Sequence, residues 1–204
     1  LLTRRQHYVH KEDKVFVAAT IQAIGRCAIR LPEVQESCLH GLMALLANKS
    51  ETVVAESVVV IKTLLQLGGN DDYVVAHLAK LLGRIQIGAA RASIVWVVGE
   101  YCEKIPLLAP DILRALAKSF PKEEVCVKLQ VLNLGAKLLL RRPEEAVGLL
   151  FQYVCALAKY DTNYDVRDRA RAFRTVLVAS STPLLRQHAL QIFCAPKPAP
   201  TEAS

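Results

Sequence analysis

A spacing of 37 residues recurs along the chain and limits the folds that the chain can adopt. Helix-breaking residues follow this step at Pro32, Gly69, Pro106 and Pro143. Between the breakers, apolar residues recur at helical spacing, so each unit is predicted to be two helices joined by a tight turn. Three columns of apolar or small residues share the step: Ala18, Ala55, Ala92, Leu129 and Val166; Ile24, Ile61, Val98, Gly135 and Ala172; and Ala28, Leu65, Cys102, Leu139 and Val176.

A helix pair repeated without insertion predicts an all-α chain, an α-solenoid of HEAT or armadillo type with about five repeats. One segment also fits a strand, because residues 58–61 are rich in β-branched side chains. The repeat register favours a helix there, since the equivalent residues of the neighbouring units have helical spacing. We expect loops near seven positions: Leu31, Asn48, Gly69, Gly88, Pro106, Pro121 and Pro143.

The repeats divide the chain into three parts. Residues 1–12 are expected to be a lead-in from a preceding repeat, residues 13–194 the repeat domain, and residues 195–204 the Pro-rich start of a linker. We expect the chain to be a piece of a longer one, because solenoids need polar caps and the first repeat has none. His7 and His10 form an HxxH pattern without a third ligand nearby, which favours solvated histidines over a metal site.

Composition narrows the classes of partner. The net charge of +7, from 26 Lys and Arg against 19 Asp and Glu, permits contact with an acidic partner or an anionic membrane surface. It is smaller than the charge runs typical of nucleic-acid binding, and aromatic residues make up only 6% of the chain. The six cysteines form no CxxC pair, so we expect reduced thiols, with Cys27, Cys102, Cys126 and Cys155 buried.

The sequence shows no pattern typical of catalysis. It lacks a nucleophile elbow, a phosphate-binding loop, a dinucleotide fingerprint and an HExxH motif. The acidic residues are scattered over predicted polar faces instead of being paired in one apolar pocket. We therefore predict that the chain is not an enzyme and holds no cofactor or metal.

The most distinctive polar stretch spans residues 160–173. One interpretation is a site for a phosphate or an acidic ligand. The favoured interpretation is a structural ion-pair ladder between adjacent repeats, in which Asp165 and Arg167 contact the preceding helix pair. The residues of the predicted ladder are Asp165, Arg167, Asp168 and Arg169, and the candidate partner-facing or membrane-facing cations are Arg141, Arg142, Arg171 and Arg174.

Several segments together resemble a known family. Residues 17–27 (VAATIQAIGRC), 54–62 (VAESVVVIK), 92–101 (ASIVWVVGEY) and 165–169 (DVRDR) are similar to the trunk of the β-adaptins, large subunits of the heterotetrameric clathrin-adaptor complexes. The resemblance covers nearly the whole chain in order. Residues 6–20, 109–114, 117–120, 132–137 and 193–200 resemble the branch that serves type-three complexes, and place the chain in the C-terminal half of the trunk.

The resemblance implies a non-catalytic scaffold that assembles with δ-type large, medium and small adaptor chains. It implies cargo sorting from Golgi and endosomes to lysosomes and related organelles, on the cytoplasmic side of membranes and coated vesicles. Contacts with a small GTPase and with clathrin would use parts of the protein outside this chain, and nucleic acid would not be a partner. The departures from the family pattern fall near residues 68–72, 138–147 and 180–185.

Two alternatives remain open, a nucleic-acid-binding helical repeat and a nuclear-transport-type scaffold. A base-reading repeat places side chains of similar chemistry at fixed positions in each unit. The equivalent residues here share no chemistry, which counts against such a code: Gln22, Val59, Trp96, Asn133 and Ala170.

Overall fold

The structure, a computed structural model, describes residues 14–48, 50–66, 72–178 and 183–195. Within these ranges the secondary structure is helical, with ten α-helices, one 3-10 turn and no strand. The helices are α1 (Lys14–Arg30), α2 (Pro32–Leu45), α3 (Glu51–Gln66), α4 (Asp72–Leu81), α5 (Gly88–Glu100), α6 (Leu108–Ser119), α7 (Val125–Arg141), α8 (Glu145–Ala158), α9 (Tyr164–Leu177) and α10 (Pro183–Cys194).

The helices form five consecutive pairs in two layers, except that α10, the last helix, packs against α7 and α9 of the first layer. The first helices of the pairs pack on one another in chain order, most extensively α5 on α7. They are α1, α3, α5, α7 and α9. In the second layer α6 packs between α4 and α8. This arrangement confirms the predicted all-α solenoid.

The 37-residue register is visible in the core. Ile21, Val58, Val95 and Leu132 stand one repeat apart, and all four are fully buried. The predicted column that begins at Ile24 is also buried until the last repeat, where Ala172 is exposed. Residues 58–61 lie inside α3, so the register and not the local β propensity decides their conformation. Packing of an apolar face outweighs intrinsic propensity there.

Most of the predicted loop positions lie between helices in the structure. Leu31, Asn48, Pro106 and Pro143 lie between helices, while Gly69 falls outside the described residues. Pro121 belongs to the 3-10 turn Phe120–Lys122.

Gly88 is not a loop residue but the first residue of α5. A carboxylate from the preceding repeat holds the turn directly before Gly88. Glu51 Oε1 accepts hydrogen bonds from the amides of Gln86 and Ile87 at 2.8 and 3.1 Å. The helix therefore begins directly after Ile87.

The cysteines are all free thiols, but their exposure differs from the prediction for two of them. Cys102 and Cys155 are buried as expected, and so is Cys38. Cys27 is half-buried and Cys126 is exposed. The prediction is wrong for Cys126 because this residue stands in the first turn of α7 beside Glu124, on the solvent side of the helix.

The lead-in at residues 1–12, with His7 and His10, and the Pro-rich segment after Ala195 lie outside the described residues. Among the described helices, none is long and apolar enough to cross a membrane. In the same ranges no three His, Cys, Asp or Glu side chains are grouped as a metal site would require.

Candidate partner-binding surfaces and the contacts between repeats

A partly buried ion pair joins the third repeat to the fourth. Arg91 of α5 and Glu123, in the linker before α7, approach to 2.5 Å between Nη2 and Oε1. Arg91 also donates to the carbonyls of Leu82 and Ile85, both at 2.9 Å, and the Ser119 hydroxyl donates to Glu123 at 2.7 Å. The charged groups are thus hydrogen-bonded on several sides, as charges removed from water require.

The same contact recurs one repeat later. Lys128 stands 37 residues after Arg91, and its Nζ lies 2.6 Å from Oδ2 of Asp161, in the linker before α9. Burial opposes ionisation of Asp161, but three groups outweigh it and lower the pKa of this carboxyl: Lys128, the amide of Asn163 and the charge of Arg167. Asn163 in turn caps α9, because its side chain accepts from the amide of Val166 at 3.2 Å.

A second set of contacts joins α7 to the end of α5. The Lys137 ammonium pairs with the Glu100 carboxylate, and Arg141 donates to the Glu100 carbonyl at 2.9 Å. Arg142 donates to the carbonyl of Pro106 and pairs with Glu144 at 2.8 Å. Arg141 and Arg142, two of the candidate partner-facing cations, therefore hold the preceding repeat. The Arg141 side chain is only 15% exposed.

The four residues of the predicted ladder have separate contacts. Arg167 donates to the carbonyls of Asp161 and Thr162 at 2.6 and 3.0 Å, and Arg169 donates to Asn133 of the preceding repeat at 3.3 Å. The contacts that reach from α9 to the linker and to α7 thus use carbonyl and amide oxygens.

The two acidic residues of the predicted ladder face elsewhere. Asp168 pairs with Arg171 at 3.0 Å on the exposed side of α9. Asp165 has no ion pair among the described residues and borders an open groove on the α5, α7 and α9 side. The least exposed ion pairs between repeats are instead Arg91–Glu123, Lys128–Asp161 and Lys137–Glu100. Two more exposed pairs, Lys104–Asp72 and Arg141–Glu103, also join neighbouring repeats.

The sequence contained a signal for these pairs that the apolar columns did not show. Arg91 and Lys128 are both basic, stand one repeat apart and are each the fourth residue of a first helix, α5 and α7. Glu123 and Asp161 come shortly before the next first helix in both units. A search for basic residues at the repeat spacing would have found Arg91 and Lys128, whereas their partners Glu123 and Asp161 are 38 residues apart.

Beside a pocket of about 440 Å³ around the Arg91–Glu123 pair, two other concave surfaces on the described residues are large enough to receive side chains of a partner. The first is the groove over α5, α7 and α9, of about 640 Å³, whose walls include Trp96, Asn133, Asp165 and Phe193. The second, which we call the α8–α9 cleft, has a volume of about 350 Å³. Its walls carry four cations, Lys159, Arg167, Arg171 and Arg174, beside the buried Cys155 and Ala170.

Comparison with known proteins decides the family. A family model described as the adaptin N-terminal region matches residues 1–181, which is most of the chain. The chain belongs to the adaptin family. This membership confirms the resemblance to adaptins that we saw in residues 17–27, 54–62 and 92–101.

The sequences of known relatives indicate which branch of the adaptin family this chain resembles. It is 55% identical over 202 residues to the mouse AP-3 complex subunit beta-2, covering 98% of this chain and 19% of that protein. It is 52% identical over 202 residues to the human AP-3 complex subunit beta-1, covering 98% of this chain and 18% of that protein. The adaptin chain therefore spans about a fifth of the length of these relatives.

A structural match agrees with the sequence matches. This adaptin superposes on a chain of a homology model of the full-length AP-3 complex in an intermediate open conformation, with a TM-score of 0.69 and 25% identity. The match covers 85% of this chain and 33% of that chain. The adaptin thus resembles AP-3 β subunits in sequence and a chain of an AP-3 complex in fold.

Proposed function

We propose that this adaptin is part of the trunk of a non-catalytic scaffold subunit in a heterotetrameric vesicle-coat adaptor complex of the AP-3 type. The observation that carries the proposal is the identity of 52–55% to AP-3 β subunits over 98% of the chain. A stack of helix pairs fits such a role, because a solenoid exposes a long surface instead of a closed pocket.

The partners of this scaffold are a δ-type large chain, a medium chain and a small chain. Its task is cargo sorting from Golgi and endosomes to lysosomes and related organelles, at the cytoplasmic face of membranes and coated vesicles. A small GTPase and clathrin would contact regions of the protein beyond this chain. The grooves over α5–α7–α9 and between α8 and α9 are surfaces that such partners could occupy.

A structural role also accounts for three half-buried carboxylates of the described residues. Glu100, Glu123 and Asp161 are each held by a Lys or Arg of a neighbouring repeat. A general base needs a carboxylate that can reach a substrate proton. These three groups instead form the contacts that keep successive repeats in register.

The proposal is tested by isolating the natural full-length protein, tagged at its own locus, from nuclease-treated cytosol. We expect a δ-type large chain, a medium chain and a small chain to co-purify in equal amounts, and the tagged protein to sediment with Golgi and endosomal membranes. Co-purification of transport receptors or of nuclease-protected RNA, without adaptor chains, would overturn the proposal.

A further inference from the structure

The outward face of α8 carries exposed apolar residues beside Glu145 and Gln152. Leu149, Tyr153 and Tyr160 are 62%, 52% and 79% exposed, and Ala156 between them is exposed as well. These residues follow each other at steps of three and four, so they form one stripe on the helix surface and its C-terminal extension. The stripe from Leu149 to Tyr160 is about 17 Å long, which is three turns of a helix.

The α8–α9 cleft adjoins this stripe and is strongly basic. Arg167, Arg171 and Arg174 stand at steps of four and three on one face of α9, and Lys159 faces them from the end of α8. Among the residues that the structure describes, none of those lining the cleft is acidic. Asp168 pairs with Arg171 from outside it, which leaves the cleft with a net positive charge.

Helical geometry makes the stripe and the cleft one continuous surface. Buried residues occupy one side of α8, and the exposed residues occupy a single arc on the other side. Lys159 stands at the edge of this arc next to Cys155, where α8 meets α9. Gln152, Glu145, Ala156 and Leu149 follow from it in that order around the helix. An occupant of the stripe would therefore have one flank along the four cations.

We propose that this surface binds a short amphipathic segment of a partner protein, with apolar residues on the α8 stripe and Asp or Glu residues toward the α8–α9 cleft. Three turns of helix match the length of the stripe, and carboxylates match the fork geometry of arginine. The cations line a cleft between two helices and do not form a flat patch, which favours inserted side chains over a lipid surface. The proposal names the chemistry of the ligand and does not depend on the proposed function.

The test selects ligands for the purified full-length protein from a displayed library of random dodecapeptides. The enriched peptides are then synthesised with a fluorescent label, and their affinities are measured by anisotropy. We expect enriched peptides to carry at least two carboxylates and two large apolar residues at steps of three or four. Enrichment of neutral or basic peptides, or of none, would overturn the proposal.

Matched variants locate the binding. The double variant R171Q and R174Q, and separately L149S with Y153S, should each weaken binding about tenfold or more, which corresponds to about 1.4 kcal/mol. The control is K80Q with R84Q, which removes two exposed cations from another repeat and should leave the affinity unchanged within about twofold. Helix content and melting temperature of each variant confirm that it is folded. Equal loss in the control would show nonspecific charge attraction and would overturn the proposal.

Two further measurements exclude other occupants. Binding of the protein to vesicles of phosphatidylcholine and phosphatidylserine that is lost in the R171Q and R174Q variant, with no effect on any peptide, would make the surface a membrane contact. Self-association in sedimentation that is lost in the L149S and Y153S variant would make it a contact between copies. Either result would overturn the proposal.

Discussion

Lys128 Nζ lies 2.6 Å from Asp161 Oδ2, and this ion pair links α7 to the segment that leads into the next repeat. The two side chains are 10% and 6% exposed, which makes this a largely buried ion pair. Arg91 and Glu123 form the same contact one repeat earlier. Charges at the repeat spacing thus add a directional contact to the apolar packing of the stacked helices.

Removing Lys128 should destabilise the fold strongly. K128A leaves the Asp161 carboxylate buried without its cation, which costs about 3–5 kcal/mol for a buried pair. The matched control is R171A, which breaks the exposed Asp168 pair and should cost about 1 kcal/mol or less. Urea unfolding followed by circular dichroism measures the free energy of unfolding of both variants. Equal decreases in K128A and R171A would contradict the structural role of the buried pair.

The stability of the fold should fall at acid pH partly through Asp161. Its pKa is lowered in the folded state, so its contribution is present above the unfolded pKa of about 3.9 and is lost as the pH falls through the lower folded value. D161N removes this titration, and its melting temperature should decline less steeply than that of the natural protein between about pH 5 and pH 2. Parallel curves would show that Asp161 is not the group responsible.

The fold could be predicted from the sequence because the apolar residues of each column recur at a fixed spacing along the chain. Residues 58–61 became helical as predicted, since the equivalent helices pack on both sides of α3. The candidate site was less predictable. Which oxygen an arginine reaches depends on the path of the linkers, so Arg167 was expected to face a carboxylate and contacts carbonyls instead. Arg141 was expected to face a partner but holds the preceding repeat, because α7 passes directly over the end of α5.

Close packing between α7 and α8 should make G135A destabilising. A Cβ atom at Gly135 would lie 2.8 Å from Cδ2 of the fully buried Phe151, and such overpacking costs about 1–3 kcal/mol. The matched control is G148A in α8, where the nearest atom is Leu139 Cδ1 at 3.8 Å. That substitution should stabilise the helix by about 0.5–1 kcal/mol. The melting temperature should therefore fall in G135A and rise in G148A. A change in the same direction in both variants would contradict the packing described.

Thiol reactivity should follow burial. Cys126 is exposed and should react first with a bulky maleimide in the native protein. Burial raises the pKa of Cys155 to about 12, which suppresses its thiolate at neutral pH, and Cys102 is buried as well. Mass spectrometry of timed samples should show these two labelled only after unfolding. Their rapid labelling in the native state would contradict the helix packing around them.

Native mass spectrometry of the full-length protein purified from cells is the most direct test of the proposed role, that of one scaffold subunit in a four-chain complex. The account predicts a single assembly that contains one copy each of this protein, a δ-type large chain, a medium chain and a small chain. A protein that is recovered as a monomer, or bound only to unrelated chains, under conditions that keep a known adaptor complex intact would contradict the account.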